Sequence, residues 1–250
     1  MEEIKVLYFD LEHGSQTLGS KKDINNMFGY PELEPSTFGE FQAIIKQLYT
    51  KKKVEETVKI GDIEVKQSLK KVVPRSKNQI DGIVIDTVSE LSKKYLRSLM
   101  NPEGLMQITD WGKLKNTLDR LLDMLTMLPG ILICNCHSKV QTMSDGENRI
   151  IPYIDGSTKE DISKWFDFVF YCKAKTNMKG NTEYLWQTAR TEKYDNAKDR
   201  SQLLDTEIAQ DYQLVFDAVN KKGWDGAKIL TIGSPGSGKT YSLKTINERS

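Results

Sequence analysis

The chain has 250 residues with a formal net charge of +1, and 38% of its residues are hydrophobic and 28% charged. This composition supports a folded core and excludes a disordered chain, while the near-zero charge excludes nucleic-acid binding by a global positive field. The sequence has no signal-peptide pattern and no apolar run long enough to span a bilayer, so we expect a cytoplasmic protein that does not bind a membrane. Its three cysteines are an odd number, so we expect no disulfide framework.

The first half of the chain alternates short apolar runs with helical patterns. Residues 4–9 predict a strand, and residues 37–49 predict an amphipathic helix with Thr37 as N-cap and Glu40 in the capping-box position. The pattern continues with a hairpin over 57–65 that turns at 61–62, a buried strand over 83–85 and a helix over about 89–100.

In the second half, leucines at helical spacing from Leu114 to Leu125 predict a long helix that Pro129 and Gly130 end. Further strands are predicted over 131–134, 168–171, 183–186 and 227–232, the middle two paired through a turn at 179–181, with helices over 206–221 and 241–248. Cys134 and Cys136 lack partners at zinc spacing, so we interpret them as core residues. Apolar strands separated by helices favour an α/β fold with a largely parallel sheet covered on both faces.

A phosphate-binding loop (P-loop) follows the last strand, because residues 233–240 match the pattern G-x-x-x-x-G-K-[ST]. Its glycines let successive N–H groups point at phosphate oxygens, Lys239 would reach the β- and γ-phosphates, and Thr240 would bind Mg²⁺. The alternative is a chance glycine-rich turn. The predicted nucleotide-binding residues are Gly233, Ser234, Pro235, Gly236, Ser237, Gly238, Lys239, Thr240 and Tyr241. The motif therefore predicts ATP and Mg²⁺ as ligands.

The position of this motif at the end of the sequence is unusual, because a P-loop helix connects onward to a neighbouring strand. Residues 4–9 offer that strand, so we expect a circularly permuted order. We predict a single domain over 1–250, with the core strands and helices in 1–222 and the permuted P-loop strand and helix in 223–250. The alternative is a separate P-loop fragment, but about 28 residues are too few to bury a core.

Carboxylates at two strand ends are candidates for metal binding and hydrolysis. Asp86 ends an apolar run and would orient Mg²⁺, although it could also cap the following helix. Glu12 is the candidate that positions the attacking water, and Asp10 is the alternative or a buried group that fixes the loop. His137 follows another strand and would sense the γ-phosphate, unless it is an exposed loop histidine.

Residues 228–240, 6–14 and 81–91, taken in that order, resemble the RecA-like ATPases, most closely the phage single-strand-annealing and recombinase ATPases of the Sak type. Residues 130–139 resemble the strand and switch residue that precede the family's second DNA-binding loop. Residues 166–171, 191–193 and 197–200 resemble its late strands and basic interface segment. The resemblance implies a RecA-like P-loop NTPase with a mostly parallel twisted sheet, and a catalytic set of Glu12, Lys239 and His137.

The resemblance also implies partners. Members assemble as filaments or rings in which a basic side chain of the next subunit reaches the γ-phosphate; the candidates are Arg190, Lys193, Lys198 and Arg200. Two loops would contact single-stranded DNA, one over 101–112 with Trp111 and one over 138–152 with Lys139 and Arg149. The lysine-rich stretches 51–53 and 70–71 are interpreted as solvated surface.

The sequence thus predicts a Mg²⁺-dependent ATPase that acts on single-stranded DNA in phage recombination or annealing, with DNA-dependent hydrolysis. Two alternatives remain open. A small-molecule kinase would need an arginine-bearing lid, and Arg190 and Arg200 are the only clustered arginines. A nucleotide-dependent assembly module would have no DNA role.

Overall fold

The computed structural model describes residues 5–74, 80–176, 178 and 180–247. Its strands are β1 (Val6–Asp10), β2 (Tyr49–Ile60), β3 (Ile63–Pro74), β4 (Gly82–Asp86), β5 (Ile131–Thr142), β6 (Asn148–Pro152), β7 (Phe168–Thr176), β8 (Thr182–Gln187), β9 (Lys198–Asp199), β10 (Glu207–Ala209) and β11 (Lys228–Gly233). Its helices are α1 (Lys21–Phe28), α2 (Phe38–Leu48), α3 (Val88–Leu99), α4 (Ile108–Thr126), α5 (Thr158–Asp161), α6 (Tyr212–Lys222) and α7 (Lys239–Ser242). Short 3₁₀ turns cover Ser15–Thr17, Ile162–Trp165 and Leu243–Ile246.

The central sheet has the strand order β1-β4-β5-β11-β7-β8-β10. The first five strands are parallel to one another, whereas β8 and β10 extend the sheet antiparallel. Strands β6 and β9 add antiparallel partners to β5 and β7. The prediction of a largely parallel sheet is confirmed, and the P-loop strand β11 lies inside it between β5 and β7.

Helices cover both faces of the sheet, as the apolar strands predicted. One face packs against α2, α3 and α4 through residues such as Phe41, Leu91 and Leu118. The other packs against α1 and α6 and the segment after the P-loop through residues such as Phe28 and Phe216. Alternate strand residues therefore belong to alternate cores. Cys134 and Cys136 are fully buried in the first core, which confirms their interpretation as core residues.

The helix starts and ends follow local chemistry. Thr37 caps α2 by accepting a hydrogen bond from Glu40 N at 3.1 Å, as predicted. Glu40 instead accepts from Ser36 N at 2.7 Å, so the reciprocal bond of a capping box goes to the preceding residue. The long helix α4 ends at Thr126 with Met127 as C-cap, before the predicted end at Pro129 and Gly130. Gly130 adopts φ +84° in the turn that leads into β5, where a Cβ would lie 2.2 Å from Asp81 O.

Four predicted segments differ from the structure. The helix predicted over 241–248 begins at Lys239 as α7 and continues after Ser242 as the 3₁₀ turn Leu243–Ile246. The helix predicted over 206–221 begins only at Tyr212, because residues 207–209 pair with β8. The predicted loop 101–112 is helical from Ile108 onward, which places Trp111 in the first turns of α4. The predicted loop 138–152 is a hairpin of β5 and β6, in which Lys139 pairs with Ile151 and Gln141 with Arg149. The β-branched residues Val140, Thr142, Ile150 and Ile151 favour strands over a loop.

The predicted hairpin over 57–65 is the tip of a longer one. Strands β2 and β3 have 12 residues each and pair in continuous register from Tyr49↔Pro74 to Ile60↔Ile63. The predicted turn at Gly61 and Asp62 is confirmed, with Gly61 at φ +61°. We call this hairpin, residues 49–74, the arm. Three predicted residues, Ile4, Lys179 and Glu248, fall outside the described part of the chain.

Candidate nucleotide-binding and catalytic site

The candidate residues meet at the carboxyl edge of the parallel strands. Asp10 at the end of β1 is in register with Asp86 at the end of β4. On the next pair of strands, His137 of β5 is in register with Gly233, the last residue of β11. Since parallel strands bring their carboxyl ends to one edge, four separate segments place polar side chains around the P-loop.

The P-loop has the backbone conformation that its glycines predict. Gly236 and Gly238 adopt φ +75° and +90°, which L side chains rarely adopt. A Cβ on Gly238 would also lie 2.5 Å from Gln210 Oε1. Gln210 Nε2 donates to Ser237 O at 2.9 Å and thereby fixes the loop from outside. The crest of the loop, residues 234–236, is exposed to solvent.

Lys239 and Thr240 are the first two residues of α7, and their side chains bind different partners. Lys239 is 5% exposed, and its ammonium donates to Gly233 O at 2.9 Å and Ser234 O at 3.0 Å. Thr240 Oγ1 donates to Asp86 Oδ2 at 2.7 Å. Ser237 Oγ is buried without a hydrogen-bond partner among the described residues. A buried ammonium held only by carbonyls and an unpaired hydroxyl fit a site that receives an anion.

Asp86 is a buried carboxylate that fits a magnesium ligand. Besides Thr240, the phenol of Tyr8 donates to Asp86 Oδ2 at 3.3 Å. Burial raises the pKa of Asp86, because the low dielectric penalises its charged form. The described residues contain no group of three or more His, Cys, Asp and Glu side chains that could hold a metal alone. Mg²⁺ at phosphate sites uses one or two protein oxygens beside those of the phosphates, so the Thr240–Asp86 pair fits that ligand set.

Glu12 is held by two side chains, that of Thr87 at the start of α3 and that of His137 on β5. Thr87 Oγ1 donates to Glu12 Oε1 at 2.5 Å, and His137 Nε2 lies 2.5 Å from the same oxygen. Burial acts to raise the pKa of Glu12, but the bonds from His137 and Thr87 and the charge of Lys239 lower it below its usual value. The carboxylate is therefore ionised at neutral pH. Its side chain is 28% exposed and neither bond uses Oε2, so water can reach it.

Asp10 has a different environment, although it is only two residues away. It is 1% exposed and accepts hydrogen bonds from three backbone N–H groups, those of Glu12 and Gly14 at 3.1 Å and of Ser15 at 2.8 Å. These bonds fix the loop that contains Glu12. They fit the second role considered for Asp10, that of a buried group that fixes the loop. His13 points away and pairs with Glu34 at 3.0 Å.

His137 is 16% exposed, which differs from an exposed loop histidine. The prediction that His137 follows a strand is wrong, because β5 continues past it to Thr142 by pairing with β6. The backbone N–H of His137 donates to Ser89 Oγ at 2.8 Å, and this bond ties the middle of β5 to the start of α3. Its Nδ1 is buried without a partner among the described residues. Tyr241, the last predicted nucleotide-binding residue, is 59% exposed, and the Lys244 ammonium lies 4.6 Å from its ring centroid.

The four basic candidates for a neighbouring subunit's site divide into two pairs. Lys198 donates to Ser163 O at 3.1 Å and Phe166 O at 2.6 Å, and burial lowers its pKa. Arg200 pairs with Asp167 at 2.7 Å. Both lie near the amino end of β7, away from the P-loop. Arg190 and Lys193 are exposed and lie in the segment between β8 and β9.

Two of the three DNA-binding candidates lie together. Trp111, 46% exposed, and Lys139 line one depression of about 360 Å³ with Lys159. Arg149 is engaged elsewhere, since its guanidinium pairs with Asp145 at 2.6 Å and Asp195 at 3.5 Å.

Sequence analysis missed several residues that support the site. Thr87 positions Glu12, and the sequence could have indicated this. A threonine that caps a helix accepts a hydrogen bond from the helix backbone, and its hydroxyl hydrogen remains available to a neighbouring carboxylate. Tyr8 contacts Asp86 from the neighbouring strand, and Ser89 and Gln210 act through backbone groups. No sequence signal marks these three, since their contacts depend on the sheet order and join residues 27 or more positions apart in the sequence.

A mostly parallel sheet flanked by helices, with a P-loop after a central strand and an acidic strand end beside it, defines a P-loop NTPase. Residues 3–201 match the model of the AAA domain family, and because this range covers most of the chain, the protein belongs to that family. Membership indicates a P-loop ATPase and supports nucleotide binding. Searches of curated proteins and of solved structures found no significant match. Within the described part of the chain, no helix is long and apolar enough to cross a membrane.

Proposed function

We propose that this protein is a Mg²⁺-dependent ATPase of RecA-like type that acts on single-stranded DNA in phage recombination or annealing. The observation that carries the ATPase assignment is the convergence of Lys239, Thr240, Asp86 and Glu12 at one sheet edge, with a chain of contacts between them. Each belongs to a residue type that phosphoryl transfer requires: a phosphate-binding ammonium, metal-binding oxygens and an ionised carboxylate.

The residues divide the chemistry between them. Lys239 and the P-loop N–H groups would bind and orient the phosphates. Thr240 and Asp86 would hold Mg²⁺, which when bound would supply positive charge to the phosphate oxygens. Glu12 accepts a hydrogen bond from the attacking water, because its lowered pKa keeps the carboxylate ionised. Thr87 fixes the orientation of Glu12, and His137 competes with water for the same carboxylate.

We also propose the circularly permuted order. Two observations support it. The first is that the P-loop strand β11 is the last strand described along the chain and yet lies between β5 and β7 in the sheet. In addition, the match to the AAA domain family spans residues 3–201, which include Glu12, Asp86 and His137 but not the P-loop at 233–240. A P-loop strand that belongs to the same sheet as the matched segment is what a permuted order produces.

The DNA part of the proposal is supported by one surface next to the catalytic edge. Tyr153 donates its backbone N–H to His137 O at 2.7 Å, and the ammonium groups of Lys93 and Lys139 lie 5.2 and 5.3 Å from its ring centroid. Lys139 also lines the depression that contains Trp111, so the Tyr153 ring and this depression share one lysine. Aromatic rings flanked by cations suit single-stranded nucleic acid, because bases stack on rings while lysines attract phosphates.

The test is the ATPase rate with and without a single-stranded oligonucleotide at low salt. We expect stimulation that the double change Trp111→Ala and Lys139→Ala abolishes while the basal rate is kept; Arg149→Ala is the control, because Arg149 is already paired. Stimulation of the double variant equal to that of the wild type would move the DNA site elsewhere. No stimulation together with no ATP-dependent DNA binding would remove the DNA role and leave an ATPase that serves another task.

A further inference from the structure

A pocket of about 480 Å³ lies between the β5–β6 hairpin, β7 and the first residues of the P-loop. Gly233 and Ser234 line it, and their carbonyl groups accept hydrogen bonds from the Lys239 ammonium at 2.9 and 3.0 Å. The charged residues in its lining are Lys139, Lys173 and Lys175. Among the described residues no carboxylate lines the pocket, so the charge of its walls favours an anionic ligand.

The positive charge of this pocket is only partly neutralised by its surroundings. Glu207 accepts hydrogen bonds from Lys173 at 2.7 Å and from Lys175, so two ammonium groups share one carboxylate. The Lys139 ammonium forms no ion pair with a described residue and lies 5.3 Å from the ring centroid of Tyr153. Three ammonium groups against one carboxylate leave a formal net charge of +2 for a ligand.

The pocket also contains an aromatic ring. Tyr194 lines it, and the ammonium groups of Lys173 and Lys193 lie 5.1 and 5.8 Å from the ring centroid. This repeats the arrangement at Tyr153, whose ring also has two lysine ammonium groups within 5.3 Å of its centroid. The Tyr171 ring packs against Tyr194 at a centroid distance of 4.9 Å and holds it in place. A ring flanked by cations suits single-stranded nucleic acid, because bases stack on the ring and phosphates bind the cations.

The pocket adjoins the surface to which the DNA role is assigned. Lys139 lines both the pocket and the depression that contains Trp111. Val140, the next residue of β5, lines the pocket and is 66% exposed, so the surface at their boundary is open to solvent. We propose that single-stranded DNA runs from the Trp111 depression across Lys139 into this pocket, where a base stacks on Tyr194 and phosphates bind the lysines. This path rests on the proposed function and extends it.

The path brings the strand into contact with the P-loop. A Cβ on Gly233 would lie 2.7 Å from the Cβ of Cys172, which also lines the pocket, so the β7 wall packs directly against the loop. When the Lys239 ammonium turns to the phosphates of ATP, it would leave the carbonyl groups of Gly233 and Ser234. Strand and nucleotide therefore act on the same two residues, and their affinities are coupled, as DNA-dependent hydrolysis requires.

The first test changes the charge at Val140, because its exposed side chain lies outside the core. The affinity of the full chain for a fluorescent single-stranded oligonucleotide is measured by anisotropy at low salt with ATP and Mg²⁺. Val140→Glu should weaken binding by about 10-fold, since a carboxylate repels the phosphates, and Val140→Lys should strengthen it. Val140→Thr is the control, because it adds no charge and keeps a β-branched side chain, and it should bind like the wild type. Equal affinities of all four proteins would overturn the proposal.

The second test measures how the affinity depends on salt. Each lost phosphate contact lowers the slope of log affinity against log salt concentration by about 0.7 for a single strand, and we expect this decrease for Lys175→Gln. Lys164→Gln is the matched control, because Lys164 is 54% exposed against 55% for Lys175, is also ion-paired, and lies in the 3₁₀ turn before β7. The control should keep the wild-type slope. The same slope in Lys175→Gln as in the control would exclude the pocket from the path.

The third test locates the strand directly. An oligonucleotide that contains 5-iododeoxyuridine is irradiated on the full chain with ATP and Mg²⁺, and the crosslinked peptides are identified by mass spectrometry. We expect crosslinks at Tyr194 as well as at Trp111. Crosslinks at Trp111 without any at Tyr194 would reject the path and leave the proposed DNA function standing. A wild type that binds no oligonucleotide would instead reject the DNA function itself, and the path with it.

Discussion

The two ends of the parallel strands use buried charge in opposite ways. At the carboxyl end, Glu12, Asp86 and Lys239 come from different segments, and their contacts are with hydroxyl, imidazole and loop carbonyl groups that can rearrange. At the amino end, Lys228 donates to Leu128 O at 2.6 Å and Gly130 O at 2.7 Å. The residues at the carboxyl end can still form hydrogen bonds to a ligand. Lys228 instead binds carbonyl groups in the turn between α4 and β5.

This difference distinguishes charged residues that could bind a ligand from charged residues that stabilise the fold, independently of the P-loop sequence motif. Lys239 is buried and Lys228 is half-buried, and each donates to two backbone carbonyl groups. The charge of Lys239 lowers the pKa of Glu12, and the Ser237 hydroxyl two residues before it is buried without a partner among the described residues. The carboxylate neighbour of Lys228 is Asp167, which accepts a hydrogen bond from its backbone N–H at 3.0 Å. Because both ammonium groups are held by backbone carbonyls, their neighbours distinguish them: a lysine next to a buried polar group with unused bonding capacity is a candidate for ligand binding, whereas a lysine without such a neighbour stabilises the fold. Substitutions at both ends can test this distinction.

The largest expected effect is at Glu12. Glu12→Gln keeps the size and the hydrogen bonds of the side chain but removes the negative charge that orients water. We expect ATP hydrolysis to fall by about 10³-fold with nucleotide affinity retained. The measurements are single-turnover hydrolysis and equilibrium binding of labelled ATP.

Asp10→Asn is the matched control for Glu12→Gln. Its remaining oxygen can still accept from the N–H groups of Glu12 and Gly14, but its NH₂ group faces the N–H of Ser15, so that bond is lost and the free energy of unfolding should fall by about 1–3 kcal/mol, with a smaller effect on the rate of the folded protein. Unchanged turnover in Glu12→Gln would reject Glu12 as the residue that positions water.

The next effect is at Lys239. Lys239→Ala removes the ammonium that would bind the phosphates, and charge-assisted bonds of this type contribute about 1.5–3 kcal/mol each. ATP affinity should fall by about 100-fold in calorimetry. Lys228→Met removes a buried ammonium of the same sheet and should bind ATP like the wild type. Equal losses in both variants would break the distinction between the two ends.

Sequence patterns predicted the parallel sheet and the candidate residues of the catalytic edge, because a strand that ends in Asp86 and a P-loop with its glycines are local signals. They did not predict the interactions between elements. Thr87 on Glu12, Tyr8 on Asp86 and Gln210 on Ser237 all depend on which strands become neighbours. The sequence analysis did not predict that the hairpin extends over residues 49–74, because the lysine-rich stretches 51–53 and 70–71 were interpreted as solvated surface and not as strands.

A smaller effect concerns stability at the amino end. Burial lowers the pKa of Lys228 to about 8, against 10.5 in the unfolded chain. Between these values the unfolded state binds more protons, so the stability of the wild type rises with pH relative to Lys228→Met. We expect the difference in unfolding free energy between the two proteins to change by on the order of 2 kcal/mol from pH 7 to pH 10 in urea titrations. An identical difference at both pH values would show that the ammonium is not buried.

The smallest effect is expected at Arg200. Its ion pair with Asp167 is half-exposed, and such pairs contribute about 0–1 kcal/mol because water screens them. Arg200→Gln should therefore change the melting temperature by little and leave the ATPase rate of the assembled protein unchanged. Lys193→Gln is the contrasting variant, since Lys193 is an exposed cation that remains a candidate for a neighbour's γ-phosphate. If Arg200→Gln slows hydrolysis more than Lys193→Gln in the oligomer while monomer stability is unchanged, the amino end also serves catalysis, and the division between the two ends of the sheet fails.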